Sequence, residues 1–313
     1  MNAPQVIGEA RLNLMEPVDK ALLRKLEEAR ALIDSRLGEL SASLSNLGLS
    51  DVVSYINSGG KRLRGFLTLL TCETLGCKAD DAIDIAIAAE LVHAASLTLD
   101  DIIDQDRERR GMPAAWVLYG VGKTAMVSLF LVPLALKIVE RFGRVALSYS
   151  ISAWEEIVRG ELLDAYVSAK GSLVSYVDLA RLKTGPLFAL AVALPFIAAS
   201  RADMAEEAYN LGDLVGLSYQ IADDIVDYIS YLRGLRPKLD TSERLLREWT
   251  MNELGANSDD EVVSKALDYL RERVAEISKK ADELFTRYSQ RELMKEVPRF
   301  LVNMMLAQQG LSL

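Results

Sequence analysis

The chain has 313 residues, half of them hydrophobic, so it can bury a large core and form a substantial enzyme. Its formal net charge of −9 disfavours nucleic acid and an anionic membrane surface as electrostatic partners. A small anionic ligand would therefore need local basic residues or metal ions.

Apolar residues recur at three- and four-residue spacing along the chain, which predicts helices and no strand or hairpin. The helices fall at about residues 17–43, 61–76, 79–105, 120–142, 145–169, 174–199, 203–232, 241–254, 259–287 and 291–309. Glycines 59 and 60 precede the second helix, and Ser258 with Glu261 forms a predicted capping box. Because no linker rich in Pro, Gly and Ser divides the chain, we predict one all-α domain over residues 1–313.

Two features bear on location. Cys72 and Cys77 have a spacing that matches neither a disulfide framework nor a zinc site, so we predict a reducing, cytoplasmic location. Residues 1–15 show no secretory signal. The longest apolar run, at 187–199, is too short to span a bilayer and contains Pro195, so no transmembrane segment is expected.

Three aspartates end a long apolar stretch, in the sequence LDDIIDQD at residues 99–106. On a helix, Asp104 would repel Asp100 and Asp101, four and three positions before it, by about 0.2–0.5 kcal/mol per pair. Asp is also a poor residue for a helix interior. Some gain in function or binding must offset this cost.

The same Asp-Asp-x-x-Asp spacing recurs in QIADDIVDY, at Asp223, Asp224 and Asp227. The first and last aspartates of each motif project from nearly the same face of a helix, about 6 Å apart. Such pairs suit Mg²⁺, which binds one or two carboxylates together with phosphate oxygens and water. Two such helices facing each other across a cavity would hold a diphosphate through bridging metals. One motif alone is more often a solvated acidic face, but two of identical spacing in apolar helices favour the metal site.

Basic residues complement these motifs. Lys61 and Arg64, in GGKRLRG, lie one turn apart at a predicted helix N-terminus, where the helix dipole also favours an anion. Arg109 and Arg110, in RERRG, follow the first acidic motif. Each pair could bind a diphosphate or form a solvated basic cap. His93, the only histidine, lies two turns before the first motif, where a packing role is commoner than a ligand role.

Together these motifs resemble the trans-isoprenyl diphosphate synthases, the head-to-tail prenyltransferases that include farnesyl and geranylgeranyl diphosphate synthases. The resemblance covers about residues 55–228, and its parts follow the family's order: GGKRLR, His93 seven residues before DDIID, RRGMP, KTGPL at 183–187, and YQIADDIVD. It implies a single large helical bundle of the isoprenoid synthase type around a central cavity. It also implies a homodimer.

The resemblance implies a role for each motif residue. It implies that Mg²⁺ is coordinated by Asp100, Asp104 and Asp223, with Asp101, Asp224 and Asp227 completing or supporting the cluster. The positions that match contacts to the allylic diphosphate are Arg109, Lys183, Thr184 and Gln220. Those that match the isopentenyl diphosphate site are Lys61, Arg64, His93 and Arg110. The catalytic residues that the resemblance implies are Asp100, Asp104, Asp223 and Lys183.

The chemistry that follows needs no side-chain nucleophile. Metals and cationic side chains would stabilise the departing diphosphate, and the double bond of isopentenyl diphosphate would attack the allylic cation. A proton would then be lost to the released diphosphate. Ala95 stands where similar short-chain synthases often have an aromatic plug, and the helix positions behind it are also small or modest: Val92, Ala89 and Ala88. An open channel of this kind predicts a twenty-carbon product, geranylgeranyl diphosphate, or a longer one.

The chain departs from the family pattern in three places. Leu99 stands where many members have histidine, and residues 127–131 lack the common Gly-Asp pair. After Asp227, a lysine-containing, glycine-rich loop is replaced by YISYLRGLRPKLDTSER, in which Arg236 or Lys238 could take the place of that lysine. The polar stretch at 233–246 could be a lid or a solvated connection.

These departures keep two alternatives open. One is a non-catalytic or regulatory subunit of a heteromeric synthase, which the altered loop suggests but six retained aspartates argue against. The other is a class I terpene cyclase, which would leave Lys61, Arg64 and His93 without a role.

Overall fold

The computed structural model describes residues 16–170 and 174–313, and most of these residues are helical. The α-helices in these ranges are α1 Pro17–Ser43, α2 Ser50–Ile56, α3 Leu63–Leu75, α4 Ala79–Ile103, α5 Ala115–Tyr119, α6 Val121–Glu140, α7 Arg144–Lys170, α8 Tyr176–Ala198, α9 Ala205–Leu232, α10 Thr241–Glu253, α11 Asp259–Leu284 and α12 Arg291–Leu306. A two-stranded antiparallel hairpin pairs β1 Glu108–Arg109 with β2 Met112–Pro113. The predicted all-α class is confirmed. The expectation of no secretory signal concerns residues 1–15, which lie outside the described residues.

All the predicted helices occur, and the hydrophobic spacing located their ends closely. Three elements were not predicted: α2, α5 and the hairpin. The two helices have seven and five residues, too few for a helical repeat to show in the sequence.

Local capping explains where two late helices begin. The Ser258 hydroxyl accepts from the Glu261 N–H at 3.3 Å, but the Glu261 carboxylate accepts from the Asn257 N–H at 2.7 Å, so only half of the predicted capping box forms. A complete box starts α10, where Asp240 and Glu243 cap each other's backbone N–H groups. This capping box of α10 places the buried Glu243 carboxylate directly after the segment that differs from the family's glycine-rich loop.

The chain divides into two compact units. The first unit comprises Arg24–Ser152 and Leu190–Ala205, and the second comprises Met1–Leu23, Ala153–Ala189 and Glu206–Leu313. The single domain expected over residues 1–313 stays a prediction. In the first unit, α4 packs against α3 and α6. Side chains on several faces of α4 are fully buried, among them Ile85 and Leu91, because this helix is apolar around most of its circumference.

The second unit has a core built around α9, with α10, α11 and the start of α8 contributing to it. Trp249 packs between two tyrosine rings, with centroids 5.2 Å from Tyr176 and 4.9 Å from Tyr269. Gly216 allows close approach of α9 to α8, because a Cβ there would lie 2.8 Å from the Gly185 Cα. This close packing seats the KTGPL stretch against the helix that carries the second acidic motif.

Within residues 16–170 and 174–313, three helices have the length and apolar composition to cross a membrane: α4, α6 and α8. The 187–199 run lies within α8, which is longer than the run itself at 23 residues. The expected absence of a transmembrane segment is therefore not confirmed by helix length and composition. The buried share of the 18-residue apolar stretch is only 33% in α6, whereas it is 72% in α4 and 83% in α8. α6 thus exposes an apolar face.

Candidate active site

The first acidic motif occupies the last turn of α4. Asp101 is buried, and its carboxylate accepts a hydrogen bond from Arg109 Nε at 2.7 Å. Burial raises the pKa of Asp101, and the Arg109 guanidinium beside it opposes that rise. Asp100 is partly exposed, with its Oδ2 3.6 Å from the same guanidinium, and Asp104 is exposed at the end of the helix. Asp100 and Asp104 are therefore the accessible carboxylates, while Asp101 anchors Arg109.

The hairpin that follows this motif positions two arginines. Arg109 pairs with Met112, and the connecting residues Arg110 and Gly111 have φ angles of 57° and 73°, as a type I′ turn requires. The prediction that the chain has no hairpin was wrong. Two residues per strand are too few to show the alternation that identifies strands in a sequence.

Basic groups gather around His93 on α4. Arg64, in the first turn of α3, places its Nη1 3.1 Å from His93 Nε2. Arg110 donates from Nη1 to the Ser58 carbonyl at 3.2 Å and lies against Gly60, the residue before Lys61. The residues that match the family's isopentenyl diphosphate site therefore lie on neighbouring elements of the first unit.

His93 is held in its neutral form. Desolvation lowers the pKa of His93 well below its ordinary value, and Arg64, then Arg110, lower it further by repelling the imidazolium. Because arginine donates and cannot accept, Nε2 is the unprotonated ring nitrogen. His93 therefore serves as a neutral acceptor that orients Arg64.

The second acidic motif lies near the C-terminal end of α9. Asp224 is buried, and its two oxygens accept from the Tyr176 hydroxyl at 2.8 Å and from Gln220 Nε2 at 2.9 Å. Burial raises the pKa of Asp224 well above its ordinary value, although these hydrogen bonds oppose the rise. Asp223 and Asp227 are only partly buried. As in the first motif, the middle aspartate turns inward, so its predicted contribution to the metal site is one of support.

Of the residues matched to the allylic diphosphate in the second unit, Thr184 and Gln220 are linked to that motif by hydrogen bonds, whereas Lys183 has a separate acidic partner. Thr184 donates from its hydroxyl to Oε1 of the Gln220 side chain. The same side chain donates from Nε2 to Asp224, which also accepts from the Tyr176 hydroxyl. Lys183 Nζ donates to the Asp164 carboxylate. Tyr176 and Asp164 were missed by sequence reasoning, because neither belongs to a motif and only the fold brings them to one.

The segment after the second motif supplies a cation to it. Arg236 Nη1 lies 2.6 Å from Asp227 Oδ2 and 3.1 Å from the buried Glu243. Burial raises the pKa of Asp227, and Arg236 opposes that rise. The Lys238 side chain is 81% exposed and lies near neither carboxylate. Of the two candidates for the family's loop lysine, Arg236 is the one that contacts the acidic motif.

The predicted chain-length residues line one stretch of α4. Ala95, Ala88 and Ala89 are buried, and Val92 is partly buried. Along the helix axis, 1.5 Å per residue places Ala95 about 7.5 Å and Ala88 about 18 Å from Asp100. These positions form a graded series behind the first acidic motif.

The acidic motifs fit a divalent cation by donor chemistry. Each offers carboxylate oxygens four residues apart, and Mg²⁺ takes its other ligands from phosphate and water. Within residues 16–170 and 174–313, no three His, Cys, Asp or Glu side chains cluster closely enough to hold a metal without such ligands. A cation held at either motif would therefore need further ligands, such as phosphate oxygens or water.

Two such motifs and a separate basic cluster on a helical chain are the features of one class of protein, the diphosphate-binding isoprenoid synthases. Residues 48–236 match the family model for polyprenyl synthetases. The chain is 34% identical to hexaprenyl pyrophosphate synthase of Saccharolobus solfataricus, over 89% of this chain and 94% of the relative. It is 25% identical to geranylfarnesyl diphosphate synthase of Methanosarcina mazei, over 91% and 95%. The crystal structure of geranylgeranyl pyrophosphate synthetase from Pyrococcus horikoshii is similar with a TM-score of 0.73 and 25% identity, covering 90% of this chain and 98% of that one.

The chain belongs to the polyprenyl synthetase family. The predictions of the family, of the all-α isoprenoid synthase fold and of a head-to-tail prenyltransferase are confirmed. Divalent metal ions are used throughout this family. The roles of the individual site residues stay predictions.

The lone histidine offers a direct test of the basic cluster. In ¹H–¹⁵N spectra of the untagged protein, we expect one imidazole in a single neutral tautomer with Nε2 unprotonated. Because its pKa is lowered, it should remain neutral as the pH falls below about 6.5, where a free imidazole gains its proton. The unfolded chain does bind that proton, so this group should reduce stability as the pH falls through 6.5. A titration midpoint at or above that value would contradict the assignment.

Proposed function

We propose that the chain condenses isopentenyl diphosphate with an allylic prenyl diphosphate to give geranylgeranyl diphosphate or a longer product. One observation carries the proposal: α4 holds both a basic cluster at His93 and an acidic motif at Asp100. Seven residues separate them, or about 10.5 Å along the axis. One helix thus supports a site for a metal-free diphosphate and a site for a metal-bound one. A terpene cyclase would need only the second.

Mg²⁺ is the cation that we propose for the acidic motifs. Asp100 and Asp104 would hold it at the first motif, and Asp223 with Asp227 at the second. When bound, the metal neutralises the diphosphate and stabilises it as a leaving group. Asp101 and Asp224 hold the arrangement from behind, since their oxygens are already engaged by Arg109 and by Tyr176 and Gln220.

The remaining side chains bind and orient the two substrates. Lys61, Arg64 and Arg110 offer cationic donors to the isopentenyl diphosphate, and His93 fixes the direction of Arg64 by accepting from it. Lys183, Thr184, Gln220 and Arg109 would contact the allylic diphosphate. The allylic C–O bond breaks, a C–C bond forms to isopentenyl diphosphate, and the proton goes to the released diphosphate.

A homodimer is the assembly that we propose. The apolar face of α6 includes Met126 and Leu129, which are 66% and 54% exposed, and it is bordered by Val121 at 50%. Contiguous exposed apolar surface of this kind marks an interaction site. A second copy of the chain is the occupant that the family resemblance suggests. The cytoplasmic location also stays a proposal, supported by the free thiols of Cys72 and Cys77.

The function is tested with purified protein, Mg²⁺, labelled isopentenyl diphosphate and farnesyl diphosphate, followed by chromatography of the dephosphorylated products. We expect a ladder that ends at geranylgeraniol or beyond. Asp100→Ala and Asp223→Ala should each lower turnover by about a thousandfold or more, because the leaving group loses its metal. Asp106→Ala, at an exposed aspartate of the same acidic stretch, is the matched control and should remain active.

Three outcomes would contradict these assignments. Full activity in either variant would remove the metal role. Absence of elongation with every allylic primer would favour a non-catalytic subunit, and a cyclised product would favour a cyclase.

Product length should follow the size of the side chains along α4. Ala95→Phe should shorten the final product, because a ring placed close to Asp100 blocks the tail early. Ala88→Phe, deeper along the same helix, should stop growth at a longer product than Ala95→Phe does. Both sites are buried, so each variant could lose about 1–3 kcal/mol from overpacking and should be checked by thermal melting. The same product length from both variants and the original chain would disprove the channel assignment.

Arg236 should matter for turnover where Lys238 does not. Arg236→Ala leaves Asp227 and the buried Glu243 without their shared cation, and we expect the turnover number to fall by about ten- to a hundredfold. Lys238→Ala, two residues away and exposed, should change it by less than about twofold. Steady-state kinetics would compare the turnover numbers of both variants with that of the original chain. Equal effects would show that Arg236 has not replaced the loop lysine.

A further inference from the structure

We propose that Arg62 and Glu90 are positioning residues for the isopentenyl diphosphate site, and that their buried ion pair sets the place of Arg64 and Lys61. The inference rests on the proposed function, because it concerns how the second substrate's diphosphate is held. Sequence analysis assigned neither residue a role.

Arg62 has a conformation that few side-chain-bearing residues adopt. Its φ and ψ are 54° and 36°, in the left-handed region, and the residue is buried. Its Nε donates to Asp34 Oδ1 at 2.8 Å, its Nη1 lies 3.5 Å from Glu90 Oε2, and its Nη2 donates to the Asn57 carbonyl. Groups on α1, on α4 and at the end of α2 therefore hold one guanidinium. Its donors are turned inward, away from any diphosphate.

Glu90 acts on α3 from another helix. It lies in the middle of α4 with 2% exposure, and its Oε1 accepts from the Gly65 N–H at 2.9 Å. That N–H belongs to the first turn of α3, whose N-cap residue, Arg62, supplies no side-chain hydrogen bond. Glycine at 65 permits this approach, since a Cβ there would contact Ile33 and lie 3.3 Å from Glu90 Cγ. One carboxylate thus caps α3 and neutralises Arg62.

These contacts determine where the substrate-binding cations stand. Arg64 lies between Arg62 and Gly65 in sequence and reaches His93, three residues beyond Glu90 on α4. The start of α3 is therefore fixed to α4 at two successive points. Asp100 follows on the same helix, about 15 Å from Glu90 along the axis. The ion pair thereby also sets the spacing between the basic cluster and the first acidic motif.

The first test is the kinetic profile of Glu90→Gln, which keeps an oxygen for the Gly65 N–H but removes the charge that faces Arg62. We expect the KM for isopentenyl diphosphate to rise about tenfold or more, with the allylic KM changed by less than about twofold. Glu39→Gln, at an exposed ion pair with Arg36 on α1, is the matched control and should leave both constants unchanged. Equal rises in both KM values, or a fall in kcat alone, would overturn the proposal.

The second test needs no turnover. The imidazole ¹⁵N signal of His93 should shift in Glu90→Gln, because the Arg64 donor moves away from Nε2. An unchanged signal would overturn the positioning role even if the enzyme proved active. If the original chain elongates nothing, the proposed function fails, while this spectrum still reports on the ion pair.

A conservative variant covers the case in which Glu90→Gln does not fold. Arg62→Lys keeps the positive charge but loses the planar fork that reaches three partners at once. It should show the same selective rise in the KM for isopentenyl diphosphate and the same shift of the His93 signal. Behaviour identical to that of the original chain in both measurements would refute the proposal.

Discussion

Repulsion between like charges is the constraint on which this structure depends. The first unit crowds arginines around a single histidine. α4 carries three closely spaced aspartates at its C-terminal end, where the helix dipole disfavours negative charge, and α9 carries three more within the helix. Such groups remain together only where opposite charges or hydrogen bonds offset them. Arg109 offsets Asp101, Arg236 offsets Asp227, and Glu90 offsets Arg62. In the proposed reaction, a diphosphate with its divalent cations would extend the same compensation from protein to substrate.

The division of labour within each acidic motif follows from helix geometry. Successive residues are about 100° apart around an α-helix, so the middle aspartate cannot share the face of the first and last. In both motifs that middle carboxylate is buried: Asp101 binds Arg109, and Asp224 binds Tyr176 and Gln220. These inward contacts tie each motif to the next functional element. The accessible carboxylates are thus held in place by buried neighbours that are hydrogen-bonded on the side away from them.

Helix α4 connects the separate parts of the proposed reaction. Between Ala88 and Ala95 it carries the small residues of the proposed channel, with Glu90 and His93 interspersed among them, and Asp100 of the first acidic motif follows. A rigid helix fixes their spacing at 1.5 Å per residue. The burial of α4 against α3 and α6 therefore serves the site as well as the core. The residues proposed to orient the substrate and to limit product length thus lie along one helix.

The sequence by itself determined the family, the helices and the residues of both acidic motifs, because hydrophobic periodicity and motif spacing are local properties of the chain. Tertiary structure decided which neighbour each charged group meets. The turn that aims Arg109 and Arg110 belongs to strands too short to show a period, and the pairing of Arg62 with Glu90 joins residues distant in sequence. Arg236 is preferred to Lys238 because the path of the chain between α9 and α10 places its side chain beside Asp227 and Glu243. Their partners are chosen by packing and by the cost of burying an unpaired charge, and neither quantity can be read from spacing along a chain.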